Sequence, residues 1–547
     1  MGDAGRHGSE GGRPRPRWLA PGAALAGWLV FAGYLMVQAR AGPAIIWNDS
    51  EVYIHMAQKG LGSRALWAGP RPPVLPLLIK AVGSSDAFLT VQAAVAAVAW
   101  GVLAWTVARL MAPGWRRVTA VWVVLAFAGS FPLTLWNRSV LSESLSLSLM
   151  ALLLAALVWT TRAATWPRIG ATLAAGLVFA ATRDAQVWTV AMLALAVGVR
   201  AAVVARGRRP WAARLAVLSA GLAGVVVVTG WGTATSHRTP QNVADVLDVR
   251  VFPYPARVAW FAAHGMPEAA RIDALARATA VVPGQAPVVY TAPSDRTFAP
   301  LEHWVATRAT GVYLLWLVTH PGYVIAEPLV RPERSYNFAQ GSLTAYASST
   351  DRDASPLTVV MWPPLIGLLI LAAVAGYCTV LARGWRDPVW RTVLVFTGIG
   401  IPAMLVAWHG DGQEVTRHTL EGLAQFRLGV WILVLLWLLE SGRPGTRSAR
   451  NPGTESLPAT ADGGRQGLEH GHRRLPADAG IGHALPEDQG AGPRLLAARD
   501  QEALQHQADD PPLAGSDPLA DLGDHHRLAA MVLPAVAVAG VDEETWG

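Results

Sequence analysis

The stretch WLAPGAALAGWLVFAGYLMVQ, residues 18–38, is an apolar run that follows an arginine-rich N-terminus, residues 1–17. Secretory signal peptides have apolar cores of roughly 7–15 residues, and this run is longer. A helix that crosses the hydrocarbon core of a bilayer needs about 20 mainly apolar residues, which this run provides. We therefore predict an uncleaved first membrane span, although the Ala-Arg-Ala at 39–41 is similar to a signal-peptidase site.

The composition of the whole chain agrees with a membrane protein. Hydrophobic residues make up 52% of the 547 residues and charged residues only 15%, whereas soluble domains average about 25% charged residues. The net charge of +7 does not indicate a nucleic-acid partner, because the arginines lie in short clusters between apolar runs. The single cysteine, Cys378, excludes a disulfide framework and a cysteine-based metal site.

Further apolar runs have the character of membrane spans. They are residues 86–111, 118–136, 140–160, 169–182, 185–199, 215–234, 364–382, 392–408 and 420–439. The runs 169–182 and 185–199 are short, and their flanking arginines must reach the interface for them to span. We predict an all-α polytopic membrane protein with about ten transmembrane helices.

The distribution of arginine predicts the topology, because Lys and Arg accumulate in cytoplasmic loops. With the N-terminus inside, the arginine-rich turns fall inside and the long connections 39–85 and 235–356 fall outside. Long connections are usually functional or disordered, and the aromatic content of 235–356 favours a functional region. Helix-like pieces are expected in it around residues 255–264, 267–281 and 302–320. The predicted order is a basic N-terminus (1–17), an N-terminal membrane module (18–234), the large loop (235–356), a C-terminal membrane module (357–440) and a disordered cytoplasmic tail (441–547).

In this topology the ionisable residues near the membrane gather on the outer side of a plasma membrane. Charged residues at membrane depth are costly, so they are functional candidates. The candidates are Asp49, Glu51, His55 and Arg71 in the first loop, Arg138 and Glu143 around the fourth span, and Asp411, Glu414, Arg417, His418 and Arg427 near the last span.

The mixture of residue types indicates a reaction class. A carboxylate can take a proton from an acceptor hydroxyl, and an arginine presents a planar fork that matches phosphate oxygens. A site with both at the outer membrane surface suits a lipid substrate that carries a phosphate and a sugar. The alternatives are purely structural roles for these residues. Asp49 and Glu51 would only stabilise a helix N-terminus, Arg71 would be an interfacial anchor, and Arg183 and Asp184 would pair across a turn.

Several short segments resemble the GT-C glycosyltransferase superfamily, which uses polyprenyl-phosphate sugars. They are NDSEVY (48–53), RPPVLPLL (71–78), SES (142–144), ATRDAQ (181–186) and HGDGQEVTRHTLEGLAQFRLGVWILV (409–434). The resemblance implies inverting transfer of a sugar from a polyprenyl-phosphate donor to a glycan, lipid or protein acceptor, with metal required only in some branches. This chain has Asp-Ser-Glu instead of an adjacent Asp-Glu pair or Asp-x-Asp, which leaves open which carboxylate is the base.

We expect Asp49 to be the general base, with Glu51 or Glu143 supporting it. Arg71, Arg417 and Arg427 are expected to bind the donor phosphate. No cofactor is expected, although a divalent metal on Asp49, Glu51 and His55 is an open alternative. The competing classes are a transporter or lipid flippase, which usually carries internal repeats, and a non-catalytic partner in cell-envelope assembly.

Overall fold

A computed structural model of the chain describes residues 19–207, 209–236, 238–278, 298–330, 356–382, 384–412 and 415–440. Within these ranges the chain is helical and contains no β-strand, which agrees with the all-α prediction. The predicted tail, the basic N-terminus and the candidate Glu414 lie outside the described residues.

Helices α1 to α11 occupy the first half of the chain. Their bounds are α1 Leu19–Arg40, α2 Asn48–Ala57, α3 Arg64–Trp67, α4 Val74–Val82, α5 Ser85–Ala108, α6 Trp115–Ala128, α7 Phe131–Thr134, α8 Glu143–Arg162, α9 Trp166–Ala180, α10 Asp184–Ala205 and α11 Arg209–Ala234. A short 3₁₀ turn, Leu135–Arg138, follows α7.

Helices α12 to α21 occupy the described part of the second half. Their bounds are α12 Arg238–Arg250, α13 Pro255–Ala263, α14 Ala269–Ala278, α15 Ala299–Trp304, α16 Thr310–Thr319, α17 Pro321–Val330, α18 Pro356–Met361, α19 Leu365–Leu381, α20 Pro388–Gly410 and α21 Val415–Glu440. A π-helical segment, Val305–Ala309, joins α15 to α16.

Seven of the described helices are long and apolar enough to cross a bilayer, namely α1, α5, α8, α10, α11, α20 and α21. Two bent helix pairs bring the number to nine if each is one span: Trp115–Ala128 with Phe131–Arg138, bent by 57°, and Ala299–Thr319 with Pro321–Leu329, bent by 87°. The protein is therefore multi-pass by the length and composition of its helices. The predicted runs 169–182 and 364–382 form α9 and α19, which have 15 and 17 residues. These are fewer than the roughly 20 residues of a typical span, so each helix needs its flanking residues to cross a bilayer.

The predicted span 118–136 is interrupted. α6 ends at Ala128, and Ser130 has an extended backbone with φ −72° and ψ 148°. Pro132 then lies in the first turn of α7, where the missing N–H of proline costs no helical hydrogen bond. Proline therefore permits a new helix to start here in a new direction.

The centre of the bundle is formed by α8 and α21, most of whose residues are buried, whereas few residues of α1 are buried. Glycines bring α21 against α20: a Cβ on Gly422 would lie 2.7 Å from the Gly400 carbonyl oxygen, and a Cβ on Gly429 would lie 1.8 Å from Thr397 Oγ1. Small residues at such contacts allow close helix packing where lipid provides no hydrophobic driving force. These contacts fix α20 and α21 relative to each other.

A second apolar core lies in residues 238–278 and 298–330, which we call the α12–α17 lobe. Its buried side chains include Phe252, Phe261 and Trp304. The helices of this lobe fall within the predicted large loop, residues 235–356. Backbone contacts attach it to the turn between α20 and α21, since a Cβ on Gly412 would lie 2.0 Å from the Asp245 carbonyl oxygen. Arg250 strengthens the attachment by donating from Nη2 to the Asp411 carbonyl oxygen at 3.0 Å.

Candidate functional site

The position of Asp49 follows from the amphipathic pattern of α2. Ser50, Tyr53 and Met56 are buried at 3-residue spacing and form the packed face of this helix. At about 100° per residue, Asp49 lies beside that face, whereas Glu51 and His55 lie roughly opposite. Both Glu51 and His55 are exposed, and their side chains make no hydrogen bond or ion pair within the described residues.

Asp49 is held between two arginines. Its Oδ1 accepts from Nη2 of Arg71, which lies in the connection before α4. Its Oδ2 lies 3.0 Å from Nη2 of Arg417, in the first turn of α21. Arg71 is 33% exposed and Asp49 is 20% exposed, whereas Arg417 is only 4% exposed. The carboxylate therefore has a solvent-accessible side, marked by Arg71, and a closed side, marked by Arg417.

Behind Asp49 lies a fully buried ionic cluster. Glu143, the first residue of α8, has no exposed side-chain surface and accepts from Nε of Arg417. The same Oε1 lies 3.0 Å from Nη1 of Arg183, which in turn lies 3.0 Å from Oε1 of Glu421. Together, Asp49, Glu143 and Glu421 balance Arg71, Arg183 and Arg417. A buried charge is costly unless it is paired and hydrogen-bonded, as these are.

A histidine connects this cluster to the turn between α20 and α21. His418 Nδ1 lies 3.1 Å from Asp411 Oδ2 and 3.2 Å from Arg183 Nη2. One nitrogen serves both neighbours: protonated, it donates to Asp411, and deprotonated, it accepts from Arg183. We call the set Asp49, Arg71, Glu143, Arg183, Asp411, Arg417, His418 and Glu421 the charged network.

Two further carboxylates of α12 lie at the edge of the charged network. Burial and the neighbouring Asp411 raise the pKa of Asp245 to about 6, although Arg71 acts in the opposite direction. Burial and Asp245 raise the pKa of Asp248 to about 7. These carboxyl groups gain protons well above the ordinary range for aspartate.

Two predicted substrate-binding residues lie elsewhere. Arg427 is buried in α21, donates from Nη1 to the Pro363 carbonyl oxygen at 2.7 Å, and lies 4.9 Å from the Trp362 ring centroid. It therefore holds the connection between α18 and α19. Arg138 packs against Gly42, where an added Cβ would lie 2.5 Å from its Nη2. Neither arginine is in contact with the charged network through any described hydrogen bond or ion pair.

Sequence reasoning missed two members of the network. Arg183 was interpreted as the partner of Asp184 across a turn, but it binds Glu143 and Glu421, while Asp184 accepts from Thr233 Oγ1 at 2.7 Å. Glu421 lies at the start of the apolar run 420–439 and was not among the predicted site residues. The signal was present, since an acid in a span needs a cation partner and Arg183 is at the end of another span.

The described residues contain no group of three or more His, Cys, Asp or Glu side chains arranged to hold a metal ion. Glu51 and His55 face away from Asp49, so these three residues do not form the metal site considered from the sequence. The network offers carboxylates and guanidinium groups, which suit proton transfer and phosphate binding.

Comparisons with known proteins do not assign a family. No protein-family model matches the chain, and no curated protein sequence matches it significantly.

Proposed function

We propose that this protein is a membrane glycosyltransferase that moves a sugar from a polyprenyl-phosphate-linked donor to an acceptor hydroxyl on the outer face of the plasma membrane. The observation that carries the proposal is the partly exposed Asp49 carboxylate, which sits between Arg71 and Arg417 at the end of a membrane bundle. A general base and a phosphate-binding cation are thereby adjacent where a lipid-linked substrate can reach them.

In the proposed reaction the acceptor oxygen attacks the anomeric carbon of the donor. The bond from that carbon to the phosphate oxygen breaks, the polyprenyl phosphate leaves with the electron pair, and the acceptor proton passes to Asp49. When the donor phosphate binds Arg71, this guanidinium is drawn away from Asp49 Oδ1. The carboxylate then has a free oxygen for the incoming hydroxyl, so donor binding prepares the base.

Glu143 has a positioning role in this proposal. It is fully buried and contacts Arg417 and Arg183, so it fixes the orientation of Arg417 and does not touch substrate. The exposed Glu51 and His55 are not assigned a role in the reaction. Arg427 is assigned to stabilising the α18–α19 connection.

The proposed topology has ten spans, formed by α1, α5, the bent α6 segment, α8, α9, α10, α11, α19, α20 and α21. In this alternation the end of α1 and the starts of α8, α10 and α21 all lie on one side, which agrees with the contacts among Asp49, Glu143, Arg183 and Arg417. The bent pair Ala299–Thr319 with Pro321–Leu329 must then enter and leave on the same side. The turns at the other end carry arginines, as expected for a cytoplasmic face.

The test is donor consumption by the purified full-length protein with a panel of polyprenyl-phosphate sugars, with and without Mg²⁺ or Mn²⁺. We expect turnover of at least one donor, and we expect its loss in Asp49→Asn. Glu51→Gln is the matched control, because it changes an exposed acid two residues away. Intact donors under all conditions would rule out the proposal.

A transporter or lipid flippase is the second candidate, and the two bent helix pairs favour it. Broken helices are typical of secondary transporters, and the pairs here bend by 57° and 87°. Movement of an intact labelled lipid phosphate across reconstituted vesicles, without loss of its sugar, would select this candidate.

A further inference from the structure

A cavity lies at the end of the bundle opposite the charged network. α8 begins at Glu143 in the network and ends at the cavity with Thr161 and Arg162, while α20 begins at the cavity and ends beside the network. The cavity has a volume of about 280 Å³. It is lined by the polar residues Thr161, Arg162 and Asp387, and by Leu110, Pro388, Val389, Trp390 and Leu436. No residue of the proposed glycosyltransfer site takes part in it.

The surroundings of this cavity are positively charged. Thr161 Oγ1 and Thr392 Oγ1 are 2.8 Å apart, so the chain neighbours Arg162 and Arg391 lie beside the same contact between α8 and α20. Arg200 lies within electrostatic range of Arg391 and of Asp387. Arg162 lines the cavity together with Asp387, and Arg200 and Arg391 lie nearby.

The single acid is already engaged. Asp387 Oδ1 accepts from the backbone N–H groups of Val389 and Trp390 at 2.7 and 3.2 Å, and so stabilises the start of α20. By contrast, the side chains of Arg162 and Arg391 are exposed and make no hydrogen bond or ion pair with the part of the chain that the structure describes. Their charges are therefore directed to a ligand or to solvent.

We infer that this cavity binds the headgroup of an anionic phospholipid. Two guanidinium forks with free donors suit phosphate oxygens, and Thr161 adds a hydroxyl beside them. The volume is slightly below the roughly 300–1,000 Å³ of pockets that enclose a whole drug-sized ligand, so it fits a headgroup whose acyl chains remain in the bilayer. Basic pockets between transmembrane helices at a cytoplasmic face are known to bind such headgroups.

Native mass spectrometry of the purified full-length protein tests this inference. Phosphatidylglycerol and phosphatidylcholine with identical acyl chains are titrated separately, and inorganic phosphate is added as a competitor. We expect a preference for phosphatidylglycerol that falls by about fivefold for each arginine removed, and so by about 25-fold in Arg162→Gln/Arg391→Gln. Arg206→Gln removes an exposed arginine from the α10–α11 turn and should change the affinity less than twofold.

Three results would show that the cavity is not a site for an anionic phospholipid. Equal binding of the two lipids, or unchanged phosphatidylglycerol affinity in the double variant, overturns the inference. Full displacement of the lipid by millimolar phosphate also overturns it, because the site would then recognise a soluble phosphate. If the double variant melts at a lower temperature than the wild type, the two single variants are used instead. Each should lower the preference for phosphatidylglycerol about fivefold.

Discussion

Replacement of Glu143 by Gln tests the buried part of the charged network. Glu143 Oε1 is shared by Arg183 and Arg417, and no part of its side chain is exposed. Glutamine keeps the size and one acceptor oxygen but leaves two buried guanidinium groups short of one negative charge. Removing one partner of a buried ion pair costs about 3–5 kcal/mol. Because Arg183 keeps Glu421 and Arg417 keeps Asp49, we expect the lower end, about 3 kcal/mol.

The assay is thermal unfolding of the purified protein in detergent. A loss of 1 kcal/mol lowers the melting temperature by about 2–4 °C for chains of 150–250 residues and by less for longer chains, so we expect a fall of up to about 6 °C. Glu51→Gln is the control, since this exposed acid has no partner within the described residues and should leave the melting temperature unchanged. If Glu143→Gln and Glu51→Gln melt at the same temperature, the ion pairs of Glu143 do not stabilise the fold.

Three further outcomes follow from other parts of the structure. Gly422→Ala places a methyl group against the backbone of α20 and should destabilise the protein by about 1–3 kcal/mol. The control Gly376→Ala places its methyl group in open space and should stabilise the protein by about 0.5–1 kcal/mol. If both variants change the melting temperature in the same direction, the close contact at Gly422 is refuted. Asp245 and Asp248 hold their protons more tightly in the folded protein than in the unfolded chain, so the melting temperature should fall as the pH rises from about 4 to about 7, and the double Asn variant should lose most of this dependence. Arg71→Gln removes a partly exposed charge and should lower the melting temperature by much less than Glu143→Gln. It should lower kcat/KM for the lipid-phosphate donor by about 10- to 100-fold, since bonds to a charged group contribute about 1.5–3 kcal/mol; an unchanged kcat/KM would exclude Arg71 from phosphate binding.

The sequence predicts which end of the bundle a residue occupies better than it predicts its neighbours. Apolar run length and arginine position place Asp49, Arg71, Glu143 and Arg417 at one end, and the structure brings them into contact. The direction in which a helix turns each side chain depends on tertiary packing. Arg183 was therefore assigned to its chain neighbour, although its partners come from α8 and α21.

Local periodicity would have resolved one ambiguity. Residues two apart on a helix do not share a face, so Asp49 and Glu51 were never equivalent candidates once α2 was recognised as a helix. The buried Ser50 and Tyr53 then show which acid faces the bundle. Arg427 is a different case, because its partner is the Pro363 carbonyl oxygen, and a backbone acceptor leaves no pattern in the sequence.

The proposed reaction requires the Asp49 carboxylate to accept the proton of the attacking hydroxyl. Single-turnover sugar transfer by Asp49→Asn, measured against wild type and Glu51→Gln at equal donor occupancy, tests it most directly. We expect donor binding close to wild type in Asp49→Asn, a transfer rate reduced by at least 100-fold, and a near-normal rate in Glu51→Gln. Transfer by Asp49→Asn at the wild-type rate would contradict it.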